Sequence, residues 1–399
     1  MPNILNFPNL RFPEFTEEWK WYELRDVIHM FSGGTPPMQS PDYWNGNIPL
    51  ISAISMHNTY ISSSTQYITD IGLEKGSRLL QKENLLLLVR GSMLWNRIPI
   101  CYNLIDVAFN QDVKGIVVGN KSTSLFVLYW FQSKETFLKS LVTGTGIGAG
   151  KLDSETIFSL QIALPNKIEQ SKIAKFLSLL DQRIETQNKI IEKYESLIKG
   201  IIDYHFKRSA REDYLVKELG EYFSVMNLSK ENLSETGAEC ILYGELFTTY
   251  GCVINEIKSR TAKDGNKLTL SSSNDLLFPS STTVDAYSLI SPSAILKEGV
   301  ILGGDMFGIH INEKFNNEYL SYLFNYIYKN ELARYAKGST IVHLHYNEVK
   351  DAKIEIPSLE EQNKVTIGLR LFQEKISIEK NLLSTFQKQK EYLLRQMFI

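Results

Sequence analysis

The sequence predicts an α+β chain in which two globular α/β domains are separated by two long antiparallel coiled-coil helices, the whole forming an internal pseudo-twofold repeat. Three observations predict it. Residues 146–206 and 338–398 align without a gap at a constant offset of 192, and eleven of the 61 positions are identical, among them Pro165/Pro357, Glu169/Glu361, Gln170/Gln362 and Phe206/Phe398. Repetition on this scale decides an architecture before any single motif does. Within the first copy Ile173, Leu177, Leu180, Ile184, Gln187, Ile191 and Tyr194 alternate steps of four and three, the a/d seam of a coiled coil, and Val365, Leu369, Phe372, Ile376, Glu379, Leu383 and Phe386 keep that phase in the second. Each copy also opens alike: a proline ends an alternating run, and a cap residue is followed three positions later by Glu (Asn166 with Glu169, Ser358 with Glu361).

In chain order, residues 1–165 form the first globular domain, 166–206 the first spacer helix, 207–357 the second domain and 358–399 the second helix. A helix from 166 to 206 is on the order of 60 Å long at ~1.5 Å per residue, enough to hold two objects apart. The polar seam residue recurs, Gln187 in one copy and Glu379 in the other, a device that fixes register. Upstream, Gly46-Asn47-Ile48-Pro49-Leu50-Ile51 parallels Ala238-Glu239-Cys240-Ile241-Leu242-Tyr243, and Asp112-Val113-Lys114-Gly115-Ile116 parallels Asp305-Met306-Phe307-Gly308-Ile309. Aromatic-rich helical segments at 124–142 and 317–337 then run into glycine turns. Halves related by a pseudo-twofold axis place their equivalent helices antiparallel. Duplex DNA has the same symmetry, so two divergent heads suit two different half-sites at fixed spacing; a scaffold without a DNA role has the same geometry.

Composition narrows the function classes. The 399 residues suit two or three domains, and 43% hydrophobic with 22% charged residues is globular rather than disordered or fibrous. The longest apolar runs, 85–89 and 125–131, fall short of the ~20 residues of a membrane helix. Prolines at 2, 8 and 13 and acids from Glu14 leave no secretory pattern, so a cytoplasmic location is expected. Cys101, Cys240 and Cys252 form no Cys-x-x-Cys and read as buried small hydrophobes. With 43 basic against 45 acidic residues the net charge is −2, which supplies no bulk basic field. Charge is uneven, however: residues 1–73 hold 3 basic and 7 acidic residues, and 74–151 hold 10 and 5.

The run from Leu164-Pro165-Asn166-Lys167-Ile168-Glu169-Gln170 to Gln182-Arg183-Ile184 resembles the repeated element of specificity subunits of type I restriction-modification systems, and Ile356-Pro357-Ser358-Leu359-Glu360-Glu361-Gln362 resembles its second copy. The opening Leu10-Arg11-Phe12-Pro13-Glu14-Phe15 and the loop Phe31-Ser32-Gly33-Gly34-Thr35-Pro36-Pro37 are similar to that family too. The resemblance implies a non-catalytic subunit whose two target recognition domains bind a split, asymmetric site on double-stranded DNA. It also implies helices that dock two methyltransferase subunits, with restriction/translocase subunits joining them. No cofactor is expected in this chain, S-adenosylmethionine belonging to the methyltransferase. The second copy departs from the first where Leu180-Asp181 becomes Phe372-Gln373 and Ile198 becomes Lys390.

Motifs of an enzyme are missing or broken. Thr35-Pro36-Pro37-Met38 lacks the amide or carboxylate and the aromatic of an adenine methyltransferase loop, and Pro41-Asp42 lies 70 residues from Asp112-Val113-Lys114, too far in sequence to read as one magnesium motif. Gly144-Thr145-Gly146-Ile147-Gly148-Ala149-Gly150-Lys151-Leu152 fails as a phosphate loop because Thr145 and Leu152 stand where Gly and Ser/Thr are needed. It reads as a glycine connector in which Lys151 can still meet one DNA phosphate. His343-Leu344-His345 has no third ligand nearby and reads as a loop against DNA rather than a metal site.

DNA readers need Lys and Arg for phosphates and Arg, Asn or Gln for base edges. The expected DNA-binding residues are Arg90, Ser92, Asn96, Arg97, Gln111 and Lys151 in the first domain, and Lys258, Arg260, Lys263, Lys267, Thr282 and His343 in the second. The helix-pair and partner-docking set is Ile173, Leu177, Leu180, Ile184, Ile191, Tyr194, Val365, Leu369, Phe372, Ile376, Leu383 and Phe386. Two other readings predict different behaviour: a stand-alone restriction or modification enzyme is active without partners, and a coiled-coil adaptor shows no sequence preference with them.

Overall fold

The computed structural model describes residues 6–146, 148–226, 228–263 and 268–399. The chain divides into two compact units, Met1–Asn188 with Asn381–Ile399, and Lys189–Lys380, and the division falls inside both long helices. Two aromatic-rich helices, α1 (Ser124–Ser133) and α3 (Asn317–Tyr326), and two long ones, α2 (Lys167–Arg208) and α4 (Leu359–Gln396), recur between the halves of the sequence.

In the first unit a five-stranded sheet runs in the order Ile28–Ser32, Val113–Val118, Leu85–Leu88, Ile100–Asn103, Tyr60–Ile61. Its middle strand is the four-leucine run, and all four side chains are buried, as an apolar run with no alternation requires. A second sheet orders Tyr67–Ile68, Trp44–Ile51, Val107–Phe109 and Leu79–Leu80, with Ala108 parallel to Leu50. Lys20–Glu23 pairs antiparallel with Gln161–Leu164 and closes the head.

The second unit repeats this topology with one strand added to its second sheet. Its main sheet runs Gly220–Ser224, Met306–Ile311, Asp275–Pro279, Ser293–Ile295, Val253–Ile254, and its other sheet sets Ile241 parallel to Leu302. Arg211–Leu215 pairs with Lys353–Pro357 as the closing strands. The sequence identities in the helices thus mark a repeat that extends through both heads.

The glutamines shared by the two copies of the repeat explain how each long helix is fixed to its head. Gln170 Nε2 donates to the carbonyls of Pro165 (2.9 Å) and Lys121 (3.1 Å), and its Oε1 accepts from Ser122 Oγ (2.8 Å). Gln362 Nε2 donates to Pro357 O (2.8 Å), and its Oε1 accepts from the amide of Asn316 (2.9 Å). Both side chains are buried and satisfied. The caps form as the sequence suggests, Asn166 Oδ1 accepting from Glu169 N–H (3.0 Å) and Ser358 Oγ from Glu361 N–H (3.4 Å). The reciprocal half is replaced by tertiary partners: Glu169, fully buried, accepts from Arg11 Nε (2.7 Å) and Trp19 Nε1 (3.3 Å), and Glu361 meets His205 Nε2 at 3.2 Å.

Within each unit α2 and α4 run antiparallel. In the first, Lys390 pairs with Asp181, the Arg183 guanidinium lies 5.4 Å from the Phe386 ring centre, and Ile173, Leu177 and Leu180 share one core with Leu393, Met397 and Phe398. Phe398 reaches Phe126 of α1 at 5.2 Å. In the second, Tyr194 packs on Phe372 (6.1 Å), and Lys380 bridges to Glu195 (3.1 Å). Continued past Tyr194 at steps of four and three, the seam reaches Ile198, which is buried, and then Ile201, where it slips by one residue, Ile202 being the fully buried one. A helix of 3.6 residues per turn drifts ~20° per heptad against a strict 3.5 repeat. No helix among the described residues is long and apolar enough to cross a membrane.

All three cysteines are buried and free, and burial pushes the thiols of Cys101 and Cys252 up to about 12 and that of Cys240 up to about 11. They stay protonated and apolar, as their isolated positions in the sequence suggest.

Candidate nucleic-acid interface

In the first unit the short strand Arg90–Gly91 pairs with Gly150–Lys151, which pairs in turn with Thr143–Gly144. The ribbon needs its glycines: a Cβ on Gly150 would stand 2.8 Å from Val142 Cγ1 and 3.1 Å from Leu94 Cβ. Arg90 sits opposite Lys151, and the two line one depression with Gln111, Lys114, Ser32 and Asp153. Lys114 Nζ donates to Ser32 Oγ (2.6 Å), and Thr35 Oγ1 donates to Gln111 Oε1 (2.8 Å). Lys151 Nζ lies 3.5 Å from Asp153 Oδ1. Asp153 caps the following helix, and the Thr156 amide, then that of Glu155 and the Lys151 ammonium, hold its carboxyl below the usual carboxylate range.

The remaining candidates of this head lie elsewhere. Ser92 begins the short helix Ser92–Trp95, and Asn96, exposed, ends it. Trp95 Nε1 donates to Gly148 O (3.0 Å), tying that helix to the glycine connector. Arg97 is turned away from Arg90: its guanidinium donates to the carbonyls of Met56 (2.7 Å) and His57 (3.3 Å), the work of a structural clamp.

In the second unit the equivalent ribbon is Ser281–Thr282 with Val342–His343. Thr282 is buried there, and its hydroxyl accepts from the Val284 amide (3.2 Å). His343 is half exposed, stacks on His345 (5.8 Å between rings) and lies 3.7 Å from Asp305. Lys258, Arg260 and Lys263 belong to another sheet, on and around Ser259–Thr261. Arg260 donates to Gly237 O (3.0 Å) and Lys263 to Asn232 Oδ1 (3.3 Å), while the Lys258 side chain is exposed. Lys267 lies outside the described residues. The structure therefore brings Arg90, Gln111 and Lys151 together and pairs the Thr282 strand with His343, and it leaves Arg97 and the Lys258 group apart from those two ribbons.

Two ribbons of one topology with different side chains are what a duplicated reader of two targets requires. A family model, type I restriction modification DNA specificity domain, matches residues 16–196 and again 212–387, one match for each half of the repeat. The chain belongs to this family. It is similar to the EcoR124I/EcoR124II specificity subunit of a type I restriction enzyme from Escherichia coli, with 28% identity over 202 residues, 47% of this chain and 50% of that one. It is also similar to the MjaVIII specificity subunit from Methanocaldococcus jannaschii, with 24% identity over 423 residues, 98% and 94% of the two chains. The match thus spans about half the length of the first relative and nearly all of the second. A crystal structure of a type I restriction-modification S subunit from M. genitalium has the same fold, at a TM-score of 0.61 and 16% identity over 98% of this chain and 99% of that one.

The first specificity domain contains two functional candidates that sequence reasoning passed over, Lys114 and Thr35. Lys114 is on Val113–Val118, whose neighbours Val113 and Gly115 are buried while Lys114 is not, so strand alternation was the available signal. Thr35 belongs to the Gly33-Gly34-Thr35 loop, and only its bond to Gln111 reveals a role.

Proposed function

We propose that this specificity-domain chain is the non-catalytic DNA-reading subunit of a type I restriction-modification complex. The first head reads one part of a split, asymmetric site through the Arg90/Lys151 ribbon and its surroundings, and the second reads the other part through the ribbon of Thr282 and His343. The observation that carries this reading is the pairing of two family matches with two heads of one topology and unlike ribbon chemistry. Catalysis, and the S-adenosylmethionine it uses, belong to partner methyltransferase subunits. Restriction/translocase subunits complete the nuclease.

Docking of two like partners is supported by the outer faces of the long helices. The seam residues are largely taken up by the helix pair, yet Leu179 (51% exposed) and its repeat equivalent Leu371 (58%) both face solvent. Ile367 and Ile378 extend the apolar row around Leu371 at steps of four and seven. Two matched apolar positions, one per unit, suit one partner bound twice.

The test is the adenine methylation of a host genome read base by base, with this chain present or deleted beside its methyltransferase. Loss of a single split motif with an unmethylated gap is the expected result. Methylation unchanged on deletion refutes the proposal.

A further inference from the structure

The two ribbons occupy one place in the fold, and strand register makes the equivalences specific. Arg90 faces Lys151 in the first head, and Ser281 faces His343 in the second. On the adjoining sheet Lys114 pairs with Ser32, and Phe307 pairs with Ser224. Gln111 stands in the connection between Phe109 and Val113; its counterpart, between Gly303 and Met306, is one residue shorter and places Gly304 at φ +85°.

The first head gathers three cations, Arg90, Lys114 and Lys151, against the single carboxylate of Asp153. That carboxylate is already occupied by the amides of Glu155 and Thr156 and by Lys151. What remains available is almost wholly donors. Arg90 has no partner among the described residues, so its five N–H groups are free. Lys114 spends one proton on Ser32 and keeps two. Gln111 has its oxygen engaged by Thr35, which turns its amide N–H groups to any ligand. Like charges held in one depression repel unless an anion or an acceptor-rich group lies between them.

The same place in the second head holds no fixed cation at any of the four positions. Ser281 and Phe307 are buried, and Tyr346 packs beside Phe307 with its ring stacked on Tyr222 at 4.3 Å. The His343 imidazole, close to Asp305 and His345, is half exposed, and opposite it on the neighbouring segment stands an exposed Lys337 whose ammonium is bound to Glu348.

We propose that Arg90, Gln111, Lys114 and Lys151 form a subsite in the first head for an acceptor-only group of DNA, a backbone phosphate or the O6/N7 edge of a guanine, and that the second head meets DNA with no fixed cation at the four equivalent positions. This rests on the DNA-reading function proposed above and divides the labour between its heads. Salt-dependent affinity from these four positions then belongs to the first head. The two sources share one chemistry, hydrogen-bond acceptors with no donor.

The test uses the full chain co-expressed with a type I methyltransferase subunit. The motif is read from genomic methylation, and the purified complex is titrated onto a duplex carrying that motif at several salt concentrations. The variant is R90Q/K114Q/K151Q, with K139Q as an exposed cation elsewhere on the same head, and circular dichroism with partner copurification verifies folding. If the group is a phosphate, the motif is unchanged, affinity falls at least about tenfold, and the slope of log K against log salt shrinks by about 0.9 for each phosphate no longer neutralised. If it is a guanine edge, R90Q alone relaxes one G·C pair in one half of the motif. Either result upholds the subsite. A triple variant with wild-type affinity, slope and motif overturns it. A wild-type chain that directs no methylation instead refutes the specificity-subunit function, and the subsite falls with it.

Discussion

Lys390 Nζ lies 2.5 Å from Asp181 Oδ1, with both side chains largely buried, yet the repeat puts Ile198 and Gln373 at the matching positions of the other unit. Tyr129 donates to Asp181 Oδ2 (2.8 Å), and Tyr60 adds a further hydroxyl at 2.8 Å from Tyr129. In the second unit the corresponding phenol, Tyr322, has its hydroxyl buried without a partner among the described residues, and the ion pair there joins Glu318 to Arg370 instead. In the first unit the charge pair thus joins the two long helices and Tyr129 ties it to the head, whereas in the second the pair joins the head directly to α4. Removing one member strands a buried charge, at about 3–5 kcal/mol, whereas replacing both with apolar groups is close to neutral. D181L alone should lower the urea midpoint of the full chain strongly, and D181L/K390M should restore most of it.

Arg90 and Arg97 should separate cleanly. R97A removes the donor to the Met56 and His57 carbonyls and should cost about 1–3 kcal/mol in thermal or urea unfolding. R90A removes no hydrogen bond or ion pair and should change stability by less than about 0.5 kcal/mol while weakening DNA binding. Equal stability losses would contradict the assignment of Arg97 to the scaffold.

Partner docking has a stoichiometric readout. L179D and L371D each charge one exposed apolar position. Native mass spectrometry of the complex should show one methyltransferase lost for either variant and two for the double variant. Retention of both partners by the double variant would move the docking surface elsewhere.

High pH should unfold the first unit through its buried phenols. Burial pushes Tyr60 up to about 12 and Tyr129 higher still, so the folded state holds protons that the unfolded chain releases from pH ~10. Unfolding thus releases protons above that pH, and stability falls as pH rises. The contribution is whole below pH ~10 and disappears as pH climbs through the folded value. The melting temperature should drop steeply across this range, with tyrosinate absorbance rising in step, and Y60F should make the drop shallower.

The features readable in the chain were those whose physics is local or periodic. The caps at Asn166 and Ser358, the seam through Ile173, Leu177 and Leu369, and the buried polar Gln187 follow from spacing alone. Residues that owe their role to distant partners were not readable. Glu169 looked like half of a capping box, and only the fold supplies Arg11 and Trp19. Arg97 is seven positions from Arg90, yet the helix Ser92–Trp95 turns the backbone between them. Thr282 reads as an exposed hydroxyl until its strand pairs with Val342 and buries it. Lys114 was inconspicuous because Ser32, which engages its ammonium, is 82 residues away.

The strand pairs that close each head, Lys20 opposite Leu164 and Arg211 opposite Pro357, have a genetic corollary. The two ends of a head lie side by side, joined by main-chain hydrogen bonds that depend little on side-chain identity. A crossover between related genes at those two points hands on a complete reader and leaves the helices that follow it unaltered. On the function proposed above, one such exchange would replace a whole target specificity at once, without a succession of half-working intermediates.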